Sequence, residues 1–170
     1  MERKFIVSLL IFFVIFLISC SFKNKFLKVA ETSLYRNEEL GILLKYPADW
    51  KANNRSSLLG NLSSHFFGNT GFFAINVIDS NSMDLESIIK KESETGDYGS
   101  APEIKKIIQN AKIGYIILPS NDQSPEEKQR SCFITELQNY FKIDEIEYDM
   151  LILFADQKHI HEIINSLEYI

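Results

Sequence analysis

The chain has 170 residues, with 18 basic and 23 acidic side chains and a net charge of −5. That length is room for about one domain. A basic stripe is what neutralises a phosphate backbone, and an acidic chain lacks it, so nucleic acid is excluded as a partner.

In chain order, Arg3 and Lys4 precede the run Phe5 to Ile18, in which Ser8 alone is polar. A spanning helix needs about 20 apolar residues, whereas a run of about 10–14 behind a charged start has the form of a secretory signal. Two other readings stand beside it. The run is short for an uncut membrane anchor, and it shows no polar face of the kind a core helix at a domain surface would carry. The next residues, Leu17-Ile18-Ser19-Cys20, resemble the bacterial lipobox: an aliphatic residue, a permissive position, a small residue, then Cys. This resemblance implies cleavage after Ser19 and acylation of Cys20, with palmitate as a typical chain. It also implies a location at the cell membrane, lipid-anchored and facing outside the cytoplasm. The organisation read from it is a lipoprotein signal peptide at 1–19, a lipidated Cys20 with a basic tether over 20–33, and a domain over 34–170. Removing Glu2, Arg3 and Lys4 with the signal leaves 16 basic and 22 acidic side chains, a net of −6. With Cys20 lipidated, Cys132 has no partner, which excludes a disulfide-stapled scaffold and leaves Cys132 as a buried, inert thiol. In the tether, Lys23, Lys25 and Lys28 alternate with Phe22, Phe26 and Leu27, either as attraction to an anionic leaflet or as a solvated spacer.

Glu39 to Tyr46 alternates, with Leu40, Ile42, Leu44 and Tyr46 on one face, and Pro47 stops the strand. Trp50 follows, and Asn53 to Gly60 is turn-like. Asn61 to Phe67 and Phe72 to Asp79 read as two strands around Gly68-Asn69-Thr70-Gly71, where two glycines able to take positive φ predict a hairpin. Asp84 is positioned to cap a helix with the stripe Leu85, Ile88 and Ile89, ended by Gly96 to Ser100. Glu103 to Gln109 fits a helical period at Ile104, Ile107 and Ile108, yet Asn110-Ala111-Lys112 leads into the β-rich Ile113 to Leu118, so a second hairpin is the preferred reading. Ser120 to Arg130 is a charged loop. Cys132 to Phe141 alternates again, and Lys142 to Glu145 turns the chain. Glu147 to Phe154 becomes apolar on both faces, as a central strand does. Asp156 is read as the cap of a helix with the stripe Ile160, Ile163, Ile164 and Leu167, and Glu168 to Ile170 as a closing strand. Strands joined by hairpins, with few crossovers, give an α+β domain: an antiparallel β-sheet flanked by helices.

Tyr35-Arg36-Asn37, followed by Gly41-Ile42-Leu43-Leu44-Lys45-Tyr46-Pro47-Ala48-Asp49-Trp50, is similar to the opening of the PsbP-like family. In that family an aliphatic strand runs into Tyr-Pro and a Trp follows three residues later. The strand Leu151 to Ala155 and the helix running into Ile164 to Ile170 resemble its C-terminal end. The resemblance covers the two ends and about half of the chain after the signal. It implies an α/β/α sandwich of the PsbP/Mog1 type. Chloroplast members of that group assist photosystem II and Mog1 binds a small GTPase; neither role rests on residues that can be matched here. Tyr46, Pro47 and Trp50 read as structural, an aromatic plug at one end of the core.

The sharpest enzymatic lead is His161-Glu162-Ile163-Ile164-Asn165. It is the metalloprotease zinc motif with its second His replaced by Asn. His159 is two residues from His161 and points another way on a helix. His159 and His161 therefore read as exposed helix residues, and His65 as a strand-surface histidine. No serine nucleophile elbow, phosphate loop or dinucleotide motif is present in the sequence. Asp144, Glu145, Glu147 and Asp149 lack the glycine and spacing of a calcium loop and read as a solvated turn and strand face. The expectation is a membrane-anchored, non-catalytic lipoprotein with no cofactor, no metal site and no catalytic residue. Its contacts would be membrane lipid through the Cys20 acyl chains and an envelope protein or small ligand on the domain. The alternatives are a metal-dependent hydrolase using His161 and Glu162, and a passive structural protein of the envelope.

Overall fold

The computed structural model describes residues 31–52, 63–127 and 129–170. The signal at 1–19, Cys20, the tether as far as residue 30 and the turn-like 53–60 lie outside the described residues. Residues Glu31–Ile170 form one compact unit. Its elements are β1 Thr32–Asn37, β2 Ile42–Pro47, β3 Lys51–Ala52, β4 Ser64–Phe67, β5 Phe72–Ile78, α1 Leu85–Ser93, β6 Glu103–Gln109, β7 Lys112–Leu118, β8 Arg130–Ile143, β9 Ile146–Asp156, α2 Ile160–Asn165 and β10 Glu168–Tyr169. β1 thus begins within the segment read as tether.

A sheet in the order β3-β4-β5-β9-β8-β7-β6 is antiparallel throughout, and a smaller sheet has the order β1-β2-β10. β9 lies between β5 and β8 and buries both of its faces, as its apolar run predicts. Leu151, Leu153 and Ala155 face Phe73, Ile75, Ile163 and Ile164 in one core. Met150 and Ile152 face Ile88, Ile89, Ile117, Cys132 and Ile134 in the other. α1 therefore covers one face of the large sheet, and α2 with the small sheet covers the opposite face. The fold class is α+β, with an antiparallel sheet flanked by helices.

Asp84 caps α1 as expected, its Oδ1 accepting the Ser87 backbone N–H at 2.7 Å. Those bonds hold the Asp84 carboxyl below its ordinary pKa. The corresponding role for Asp156 is corrected. α2 starts at Ile160, behind His159, which makes no capping hydrogen bond. Asp156 is instead the last residue of β9, still paired with Arg130 of β8. Its carboxylate accepts the backbone N–H groups of Phe72 and Lys158 at 3.2 Å each. The ladder outlasts the apolar run, so the helix begins at Ile160, about one turn later than a cap at Asp156 would place it. Leu167 is buried but lies beyond the helix.

The ambiguous segment 103–109 is strand β6. The β7 ladder runs from Glu103–Leu118 to Gln109–Lys112 and leaves Ile104 and Ile108 exposed. Its turn holds Asn110 and Ala111 at φ 51° and 63°, and the β8–β9 turn holds Asp144 and Glu145 at 47° and 69°. Positive φ at both central residues matches the right-handed twist of a hairpin, but it is costly with a Cβ. Ala111→Gly and Glu145→Gly are each expected to stabilise the fold by about 0.5–1 kcal/mol, the relief of left-handed strain exceeding the added glycine entropy. Urea midpoints check this, and a lower midpoint for both variants counts against these turn conformations.

The hairpin at Gly68 to Gly71 forms, closed by Gly68 N–H donating to Gly71 O at 2.9 Å. The reason differs from the expected one. Neither glycine is among the residues with positive φ. A Cβ on Gly68 would overlap the Trp50 ring, and a Cβ on Gly71 would overlap the Asp156 carboxylate. These glycines supply room rather than backbone freedom.

Candidate functional site

His161, Glu162 and Asn165 are exposed on α2, a helix of six residues. Among the described residues no group of three His, Cys, Asp or Glu side chains is placed to hold a metal ion. Asp144, Glu145 and Glu147 are exposed as expected. Asp149 departs from the solvated reading, because it accepts from both the backbone N–H and the hydroxyl of Ser80 at 2.8 and 2.6 Å. His65 is half-buried on β4, its ring stacked on Phe67.

His159 is the clearest correction among the histidines. Its side chain is 17% exposed, and Nδ1 lies 2.7 Å from Asp156 Oδ1. The ring meets Trp50 edge-on at 5.0 Å between centroids, and Trp50 Nε1 donates to Thr70 Oγ1 at 2.8 Å. Two turns set this up. Pro47 ends β2 and brings Trp50 inward, and the hairpin with its bare Cα atoms closes over the indole. The result is a packed lock at the end of the domain where Glu31 enters. It has an oriented imidazole, whose partners among the described residues are Asp156 and Trp50. Trp50 is buried, which agrees with its reading as an aromatic plug.

On the other side of the sheet Arg130 joins three carboxylates: Asp97 at 3.2 Å, Glu127 at 3.6 Å and Glu92 at 4.0 Å. Its guanidinium lies 4.2 Å from the centre of the Phe154 ring. Tyr98, fully buried, donates to Glu92 Oε1 at 2.6 Å, and burial raises its phenol pKa. Burial likewise pushes the Cys132 thiol well above its ordinary value, away from the thiolate that reacts or binds metal. The cluster ties the chain after α1 to the start of β8, and its chemistry is that of a structural ion network.

Among the described residues, the end opposite Trp50 is hollowed. A cleft of about 560 Å³ opens between the start of α1 and the β6–β7 turn, lined by Leu85, Glu86, Lys106, Lys112, Ile113 and Tyr115. This is within the size range of small-molecule sites. Tyr115 donates to Glu86 Oε1 at 2.8 Å. Lys112 Nζ donates to the Glu136 carbonyl at 3.3 Å and lies 4.9 Å from the centre of the Tyr169 ring. Partial desolvation lowers its pKa, against the opposing effect of Glu136. A second hollow of about 510 Å³ shares Lys112 on the other face of the sheet, with Gln138 and Tyr169. Nothing in the sequence pattern singles out these residues, which come from five elements: α1, β6, β7, β8 and β10. The one available signal is Lys105-Lys106 set between the isoleucines of β6.

Above the cleft stands an arm. The β7–β8 ladder ends at Gly114–Thr135 and the β5–β9 ladder at Ile78–Met150, yet β8 and β9 pair on through Phe141–Tyr148 to Ile143–Ile146. The pairing is interrupted by a register shift between Glu136 and Phe141. Tyr140, at 68% exposed, Ile143 and Ile146 are open to solvent around the Asp144-Glu145 turn.

No protein-family model matches the chain, and no curated protein matches it. The chain is similar in structure to cyanobacterial PsbP (CyanoP) from Synechocystis sp. PCC 6803, with a TM-score of 0.49 and 9% sequence identity over 85% of this chain and 96% of that one. It is also similar to the Ran-binding protein Mog1p of Saccharomyces cerevisiae, with a TM-score of 0.45 and 5% identity over 82% of this chain and 96% of that one.

Proposed function

We propose that this chain is a non-catalytic lipoprotein of a bacterial envelope, anchored by acyl chains on Cys20, whose domain binds a protein or small ligand away from the membrane. The observation that carries the reading is Leu17-Ile18-Ser19-Cys20 behind an apolar run too short to favour spanning. Two features support the second half of it. Glu31 enters the domain beside Ala48, at the Trp50 end. The cleft at Lys106 and Lys112 lies at the other end of the sheet, level with Met150, roughly 20 Å along β9 from Asp156 at about 3.3 Å per residue, and the arm extends beyond it. The chain before residue 31 therefore joins the domain at the end opposite the cleft and arm. Two acyl chains hold stably where one does not, at about 0.8 kcal/mol per buried methylene. Intact mass of the protein extracted from bacterial membranes tests this. The expected species lacks residues 1–19 and carries a diacylglyceryl adduct on Cys20. An unmodified chain of 170 residues overturns it.

A further inference from the structure

We propose that the β8–β9 arm of one molecule docks along the β6 edge of a second copy. The inference goes beyond the anchored-lipoprotein reading and does not depend on it.

Both partners of the contact are open. β6 is the outermost strand of the large sheet, with no strand beyond it among the described residues. All seven of its residues lie in this edge, and Ile108, 74% exposed, and Ile104 point away from any cover. Among the described residues the arm has no neighbouring strand on either side past Thr135 and Met150. Open edges with exposed apolar side chains are templates for pairing unless charge or cover prevents it.

Charge selects which edges meet. β6 carries Lys105 and Lys106 at its centre, on opposite faces of the strand, and both are exposed. Antiparallel pairing of β6 with itself, in the register that sets Ile104 against Ile108, would place Lys106 against Lys106 across the interface. Like charges directly opposite destabilise such a pair. The arm has the complementary character. Asp144 and Glu145 form its tip, and Tyr140, Ile143 and Ile146 are its exposed apolar residues. Carboxylates of the arm meet the lysines of the edge while the isoleucines of both are covered. Because the two surfaces differ, the contact is head-to-tail, which closes into rings or extends into filaments.

The test uses the full chain expressed in bacterial cells, with benzoylphenylalanine replacing Tyr140. Illumination is expected to give adducts at multiples of the monomer mass, the linked peptide containing residues 103–113 of the second copy. Lys105→Glu with Lys106→Glu is expected to reduce the adduct at least tenfold. Asp144→Lys with Glu145→Lys is expected to do the same, and mixing these two variants should restore it. All four positions are exposed, and unchanged melting midpoints keep a folding defect from passing as a result. No adduct, an adduct mapping to another surface of the second copy, or an adduct only to a different protein each overturns the proposal.

Discussion

Gly71→Ala is expected to destabilise the domain by about 3–4 kcal/mol, a large share of the 5–15 kcal/mol that holds a typical domain folded. The added methyl would overlap Asp156 Oδ2 and come within 3.0 Å of His159 Nδ1. Neither group can retreat cheaply. Asp156 is 8% exposed, ends the central strand, and satisfies the Phe72 and Lys158 N–H groups as well as His159. Moving the hairpin outward instead would break the Thr70–Trp50 bond and open one end of the larger core. Overpacking of this kind costs about 1–3 kcal/mol, and stranding a buried carboxylate or its donors adds about 1–3 more. A double-mutant cycle with Asp156→Ala separates the two contributions. With the carboxylate gone, the methyl has space, so the cycle should show a coupling of at least about 1 kcal/mol. Urea denaturation supplies the numbers. A Gly71→Ala midpoint indistinguishable from that of the parent chain would remove the close approach as an explanation for that glycine.

The same corner shows what was legible in the sequence and what was not. Alternation at 132–141, the two-faced apolar run at 147–154 and the stripe Ile88–Ile89 after Asp84 are local signals, each answered within one strand or helix. They suffice for the order of elements and for an antiparallel α+β sheet. Gly68 and Gly71 were legible as a hairpin but not as space for Trp50 and Asp156, because those partners are distant in sequence and meet only through the β3–β4 and β5–β9 ladders. Asp156 illustrates the opposite failure. Its place ahead of a helical stripe has the form of a cap, and only the pairing with Arg130 reveals that it still belongs to the strand. The cleft was invisible for a related reason: Glu86, Lys106, Lys112 and Glu136 share no period and are gathered by topology alone. The length of the arm depends on where neighbouring ladders stop, which no single strand's pattern encodes.

Cys20→Ser is expected to abolish acylation and to leave the precursor uncleaved. A thiolate is a far better acceptor for the lipid than an alcohol, since free Cys has a pKa of about 8.5 while a serine hydroxyl is not ionised in this range. Membrane fractionation is a poor readout for this variant. An uncleaved run from Phe5 to Ile18 would itself hold the chain to the bilayer, so both forms would sediment with membranes. Mass and incorporation of labelled fatty acid distinguish them. The second cysteine provides the control. Cys132 is fully buried between the large sheet and α1, with its thiol pushed up by desolvation, so Cys132→Ser should keep the label and the processed mass. Label that survives in Cys20→Ser, or that is lost in a folded Cys132→Ser protein, places the acyl chain elsewhere. In either case the anchor would have to be abandoned.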